Sequence, residues 1–135
     1  MKKVVRNILF ISAIIVVVTI IFLVFYFKSS THLTSEELQF LSTNAVIYTQ
    51  KTCGHCINQF ALLNAELKYH NINEDFQQYF KIFDCSLSQG NMNTCFNNVD
   101  PSKNILGTPT WEIHGHKYPG YLTISGLKDL IKKES

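Results

Sequence analysis

Two cysteines three positions apart, Cys53 and Cys56, stand between two segments of different hydrophobic period. Ahead of them, Ala45–Thr49 reads as a short buried strand. Behind them, from Cys56 to about Tyr69, Ile57, Phe60, Leu63 and Leu67 fall close to one helical stripe, with Asn58, Gln59 and Glu66 off it. The chain must therefore turn from strand into helix at Cys53-Gly54-His55-Cys56. A thiol at the first of these positions sits where unpaired helix N–H groups and the positive end of the dipole stabilise a thiolate. The second thiol lies one turn further in, near enough to close a disulfide. Cys53 is then the nucleophile and Cys56 the resolving thiol.

The other elements follow from local patterns. Thr34 and Glu37 make the S/T-x-x-E capping box and predict a short helix through Leu41. Tyr79–Asp84 reads as a second strand, and 90–100, polar and holding Cys95, as loop with a short helix. Thr108-Pro109-Thr110 leads into a strand at 111–113, a tight turn at His114-Gly115-His116 and a further strand near Tyr118. After Gly120 a last helix is expected from about Thr123 to Lys133, with Ile124, Leu127 and Ile131 on its apolar face and Lys132 and Lys133 at its negative end. The order strand, helix, strand, linker, strand, strand, helix is that of an α/β domain.

Composition matters for what precedes this domain. From Ile8 to Phe27 every residue except Ser12 and Thr19 is apolar. At about 1.5 Å per residue that run covers about 30 Å, the thickness of a bilayer's hydrocarbon core. The expectation is a membrane-spanning signal-anchor at 8–27, between a cytoplasmic basic tail at 1–7 and a linker at 28–33, with the folded domain at 34–135. A cleaved signal peptide is the main rival reading, and a buried core helix the other. Lys2, Lys3 and Arg6 precede the run, whereas from His32 onward eight lysines face ten acidic residues. The positive-inside bias then puts the N-terminus in the cytoplasm and the domain on the periplasmic or other extracytoplasmic side. A net charge of +2 excludes a highly basic nucleic-acid-binding class, so no nucleic acid is expected as a partner.

The Cys53/Cys56 pair could be half of a zinc site. The remaining ligands would have to come from Cys85, Cys95 or histidines at irregular spacings, so no metal is expected. His55, when protonated beside the Cys53 sulfur, favours the thiolate and makes the disulfide a better oxidant; otherwise it is an idle exposed side chain. Thr108-Pro109 is read as a cis-proline segment whose backbone pairs with an extended substrate chain. His114 and His116 are read as turn residues.

With Cys53-Gly54-His55-Cys56 and Thr108-Pro109 in place, the chain resembles the thioredoxin superfamily over about 34–133. Within it, the chain most resembles the thioredoxin-like partner domain of bacterial vitamin K epoxide reductase homologues. The carrying residues are Asp84-Cys85-Ser86, Cys95, Gly107-Thr108-Pro109-Thr110-Trp111 and Tyr118-Pro119-Gly120. The resemblance implies a thioredoxin fold, a central mixed sheet flanked by helices, which the apolar run at 8–27 places behind a single transmembrane helix. It implies a second disulfide, Cys85–Cys95, either a structural staple or an electron relay. It also implies a thiol–disulfide oxidoreductase with no cofactor beyond the Cys53–Cys56 disulfide. Protein thiols would be its substrates, and a membrane-embedded, quinone-linked partner would reoxidise it. The sequence departs from the family where a buried acid six residues before the first cysteine is replaced by Ile47, and where Thr52 takes the usual tryptophan position. The proton shuttle of those relatives is therefore missing, with Lys51 or a water as substitutes. A reductase working in the opposite direction, and a non-enzymatic binding module, are the alternatives.

Overall fold

The computed structural model describes residues 11–24 and 31–135. The chain divides into two compact units, Met1–His32 and Leu33–Ser135. In the first, residues 11–24 are helical. Among the described residues no helix is long and apolar enough to cross a membrane. This corrects the expected architecture, a thioredoxin fold behind a transmembrane helix, to a small α/β domain with a four-stranded mixed sheet. It equally corrects the expected localisation, a single-pass protein with its domain outside, because that orientation depends on the span. The readings for 1–10 and 25–30 lie outside the described residues.

The second unit runs α1 (Ser35–Asn44), β1 (Ala45–Thr49), α2 (Gly54–Tyr69), α3 (Phe76–Tyr79), β2 (Lys81–Asp84), α4 (Gln89–Phe96), a 3-10 turn (Pro101–Lys103), β3 (Thr110–Ile113), β4 (His116–Pro119) and α5 (Ile124–Glu134). The capping box forms: the Glu37 N–H donates to the Thr34 hydroxyl at 3.1 Å, and the Thr34 N–H donates to the Glu37 carboxylate at 2.7 Å. Helix α1 continues past Leu41 to Asn44 and runs directly into β1. Tyr79 closes α3 instead of opening a strand, since the Asp75 carboxylate accepts from the Gln77 N–H at 2.8 Å and starts a helical turn there.

The sheet order is β2-β1-β3-β4, with β1 and β2 parallel and the other pairs antiparallel. At the β3–β4 hairpin His114 and Gly115 both have positive φ, 51° and 83°, the left-handed pair that a two-residue turn requires. Residues opposed across the strands share a face, so Ala45, Ile47, Trp111 and Ile113 point one way and Val46, Tyr48, Thr110 and Glu112 the other. The first face is the main core, covered by Leu38 and Leu41 of α1, Leu63 and Leu67 of α2, and Leu127, Leu130 and Ile131 of α5. Each such burial is worth roughly 1.5–3 kcal/mol. The second face carries a smaller cluster of Cys85, Cys95 and Ile105 packed with Tyr48, Phe83 and Phe96.

Helix α2 buries only part of the stripe that its apolar residues suggest, Leu63 and Leu67 fully and Phe60 in part. Cys56, Gln59, Leu63, Glu66 and Leu67 face inward, while Ile57 is 60% exposed. The inward polar residues hold main chain that no secondary structure satisfies. The Gln59 amide donates to the Leu122 carbonyl at 3.1 Å, and its oxygen accepts from the Leu122 N–H at 2.8 Å. The Glu66 carboxylate accepts from the Leu33 N–H at 2.8 Å, and the His70 ring N–H donates to the Leu33 carbonyl at 2.7 Å.

Candidate functional site

β1 and β2 are parallel, so their C-terminal ends lie side by side, and the site is built there. β1 runs out through Gln50, Lys51 and Thr52 into Cys53, the N-cap of α2 with an extended backbone (φ −84°, ψ 110°). An N-cap residue conventionally offers an oxygen to the first free N–H groups; here it offers sulfur, and Cys53 Sγ accepts from the Cys56 N–H at 3.1 Å. Cys53 and Cys56 are joined by a disulfide, with their Cα atoms 5.2 Å apart. The two sulfurs differ in access: Cys53 is partly exposed, and Cys56 is fully buried. Such a disulfide at a helix N-terminus is compatible with redox-active thiol chemistry, and attack from outside is directed to Cys53.

Thr108-Pro109, a cis peptide, lies against this pair. The Thr108 carbonyl oxygen is 3.2 Å from Cys53 Sγ, within reach of a thiol proton when the pair is reduced. The segment is held from both sides. The Thr108 hydroxyl donates to the Gln50 side-chain oxygen at 3.1 Å, and the Gly120 N–H donates to the Pro109 carbonyl at 2.7 Å. Gly120 has φ 102°, a conformation that side-chain-bearing residues rarely adopt.

The structure thus brings Cys53, Cys56, Thr108 and Pro109 together. Gly54 and His55 are exposed in the first turn of α2, and His55 has no hydrogen-bond or ion-pair partner among the described residues. Ile47, where relatives carry a buried acid, is fully buried in the core, and Lys51 is exposed. Among the described residues no group of three or more His, Cys, Asp or Glu side chains is placed to hold a metal ion.

Cys85 and Cys95 form a second disulfide with Cα atoms 5.9 Å apart, both fully buried. The bridge ties the end of β2 to α4, and the Cys95 carbonyl in turn accepts from the Ile105 N–H at 2.7 Å, ahead of the Thr108-Pro109 segment. Nearby, burial and the Glu112 carboxylate raise the Tyr48 phenol above its ordinary pKa.

Two residues that support the site escape a reading by motif, Gln50, which holds Thr108, and Gln59; Ser86, whose hydroxyl accepts from the Lys51 N–H at 3.1 Å, stands in the Asp84-Cys85-Ser86 motif. Only Gln59 carries a sequence signal, its place three residues after Cys56 on one helix face. No protein-family model matches the chain, and no curated protein matches it.

Proposed function

We propose that this chain is a thioredoxin-like thiol–disulfide oxidoreductase, acting as an oxidase or isomerase of protein thiols. The observation that carries the reading is the asymmetry of the pair: an accessible Cys53 sulfur capping α2, bonded to a buried Cys56. A substrate thiolate attacks Cys53 Sγ, the Cys53–Cys56 bond breaks, and Cys56 leaves as thiolate. A second substrate thiolate then attacks the substrate sulfur of the mixed disulfide, and Cys53 leaves. Two substrate thiols become one disulfide, and their two electrons and two protons end on Cys53 and Cys56. The leaving Cys53 thiolate is stabilised by the Cys56 N–H and the helix dipole, and by His55 when protonated. Stabilising the thiolate favours the reduced pair and makes the disulfide more oxidising.

The Thr108-Pro109 backbone positions the substrate chain beside Cys53. Reoxidation falls to a membrane-embedded, quinone-linked partner of the vitamin K epoxide reductase type, a role supported by the Asp84-Cys85-Ser86 and Tyr118-Pro119-Gly120 resemblance. Equilibration in glutathione buffers tests the direction. A potential well above that of thioredoxin is expected, lowered by His55→Ala, and a value near or below about −270 mV refutes the oxidase reading. Cys56→Ser is expected to accumulate mixed disulfides through Cys53, and Cys53→Ser to form none.

A further inference from the structure

We propose that the outer edge of β2 and the groove beside it dock an extended segment of the thiol protein substrate by strand addition. The substrate's identity rests on the exchange reading above; the mode of docking rests on backbone geometry.

β2 ends the sheet and pairs with β1 alone. Across that pair the Cys85 N–H donates to the Thr49 carbonyl at 2.8 Å. The N–H and C=O of one strand residue point to the same side, and successive residues alternate. Lys81, Phe83 and Cys85 therefore turn toward β1, and Ile82 and Asp84 turn outward. The Asn91 side-chain amide donates to the Asp84 carbonyl at 2.7 Å. The Ile82 N–H and C=O and the Asp84 N–H are left directed at the outer side, a template for another strand. The opposite edge strand, β4, ends at Pro119, and its Lys117 donates to the Ser102 and Lys103 carbonyls. β2 has no proline, and its one lysine, Lys81, donates to the Thr43 carbonyl.

Beside this edge lies a groove of about 920 Å³ whose lining passes from Ile82 and Phe83 by Leu87 to Ile57 and Cys56. It is thus continuous with the dithiol. Ile57 and Leu87 are 60% and 77% exposed, apolar side chains placed to receive alternate side chains of an added strand. The charged groups of the lining, Lys51 and Asp84, offset one another, and its other polar groups are amides and hydroxyls. Such a surface suits a neutral peptide backbone rather than a phosphate chain. Four strand residues cover about 13 Å. A segment of that length paired along β2 delivers the cysteine beyond it to the end of the sheet where Cys53 stands.

The test uses the full chain, isotope-labelled for amide NMR, and a ten-residue peptide of alternating threonine and valine ending in serine. A second peptide is N-methylated at alternate residues to remove its edge donors. The first is expected to shift the Ile82 and Asp84 amides and slow their hydrogen exchange, the second to do neither. Leu87→Lys is expected to weaken binding about tenfold. Equal binding of both peptides, or unmoved Ile82 and Asp84 amides, overturns strand addition. Shifts that grow with protein concentration and no peptide assign the edge to a second copy of this chain and overturn it too. Reduction of the Cys53–Cys56 pair by dithiothreitol is read separately: a pair that resists it refutes the exchange reading and with it the substrate's identity, whatever the amides report.

Discussion

Replacing Gln59 by leucine isolates the contribution of a polar residue buried at the centre of the domain. Its side chain is fully buried and joins α2 to the segment after β4 through the Leu122 carbonyl and N–H at 3.1 and 2.8 Å, with the Trp111 indole N–H at a longer 3.4 Å. Gln59→Leu keeps the volume and strands these groups. A buried polar group left without its partner costs about 1–3 kcal/mol. Leu122 is half-buried, so water recovers part of its loss, and the added apolar contact offsets a little more. The expected net loss is about 3 kcal/mol. With a urea m-value of roughly 1.5 kcal/mol/M, the unfolding midpoint of the oxidised chain falls by about 2 M with m unchanged. A loss under about 1 kcal/mol refutes the claim that Gln59 tethers Leu122. Gln59→Glu adds a check on sign. It keeps an acceptor for the Leu122 N–H but sets a second oxygen against the Leu122 carbonyl, so burial and that contact raise the new carboxyl's folded pKa. Its penalty is then smallest below about pH 4, the unfolded value, and grows as pH rises through the folded one. A penalty independent of pH contradicts the geometry.

Three further outcomes are expected. The Tyr118 hydroxyl donates to Glu134, and this bond together with His116, whose ring N–H lies 3.1 Å from the carboxylate, holds the Glu134 pKa below its ordinary 4.5. Its contribution is present above pH 4.5 and is lost as pH falls through the lower folded value; Glu134→Gln is expected to flatten the acid limb of a stability-versus-pH curve. Removing the second disulfide with Cys85→Ala and Cys95→Ala releases a ten-residue constraint and is expected to cost about 3 kcal/mol in thermal or urea unfolding, with mixed-disulfide formation at Cys53 retained. Glu66→Leu leaves the Leu33 N–H without its carboxylate and is expected to cost about 2 kcal/mol, read as earlier hydrogen exchange at Leu33 and a lower midpoint.

Local chemistry was legible in the sequence wherever the physics is local. The Thr34–Glu37 box starts α1, the His114-Gly115 turn closes the hairpin, and Cys53 and Cys56 fall at a strand-to-helix junction, because caps, turns and periods depend on residues within a few positions. The membrane span expected at 8–27 rests on hydropathy and length, and among the described residues no helix is long and apolar enough to carry it. Tyr79 went astray because its β-propensity lost to the cap that Asp75 supplies.

Tertiary structure decided what no window of residues contains. Periodicity assigns Ile57 to the core and Gln59 and Glu66 to solvent; the fold reverses all three, because main-chain groups at Leu122 and Leu33 need buried partners and only residues on the inner face of α2 can reach them. The open outer edge of β2 is equally invisible in sequence. It follows from strand pairing, which is fixed by burying one face of the sheet as a whole rather than by any one segment.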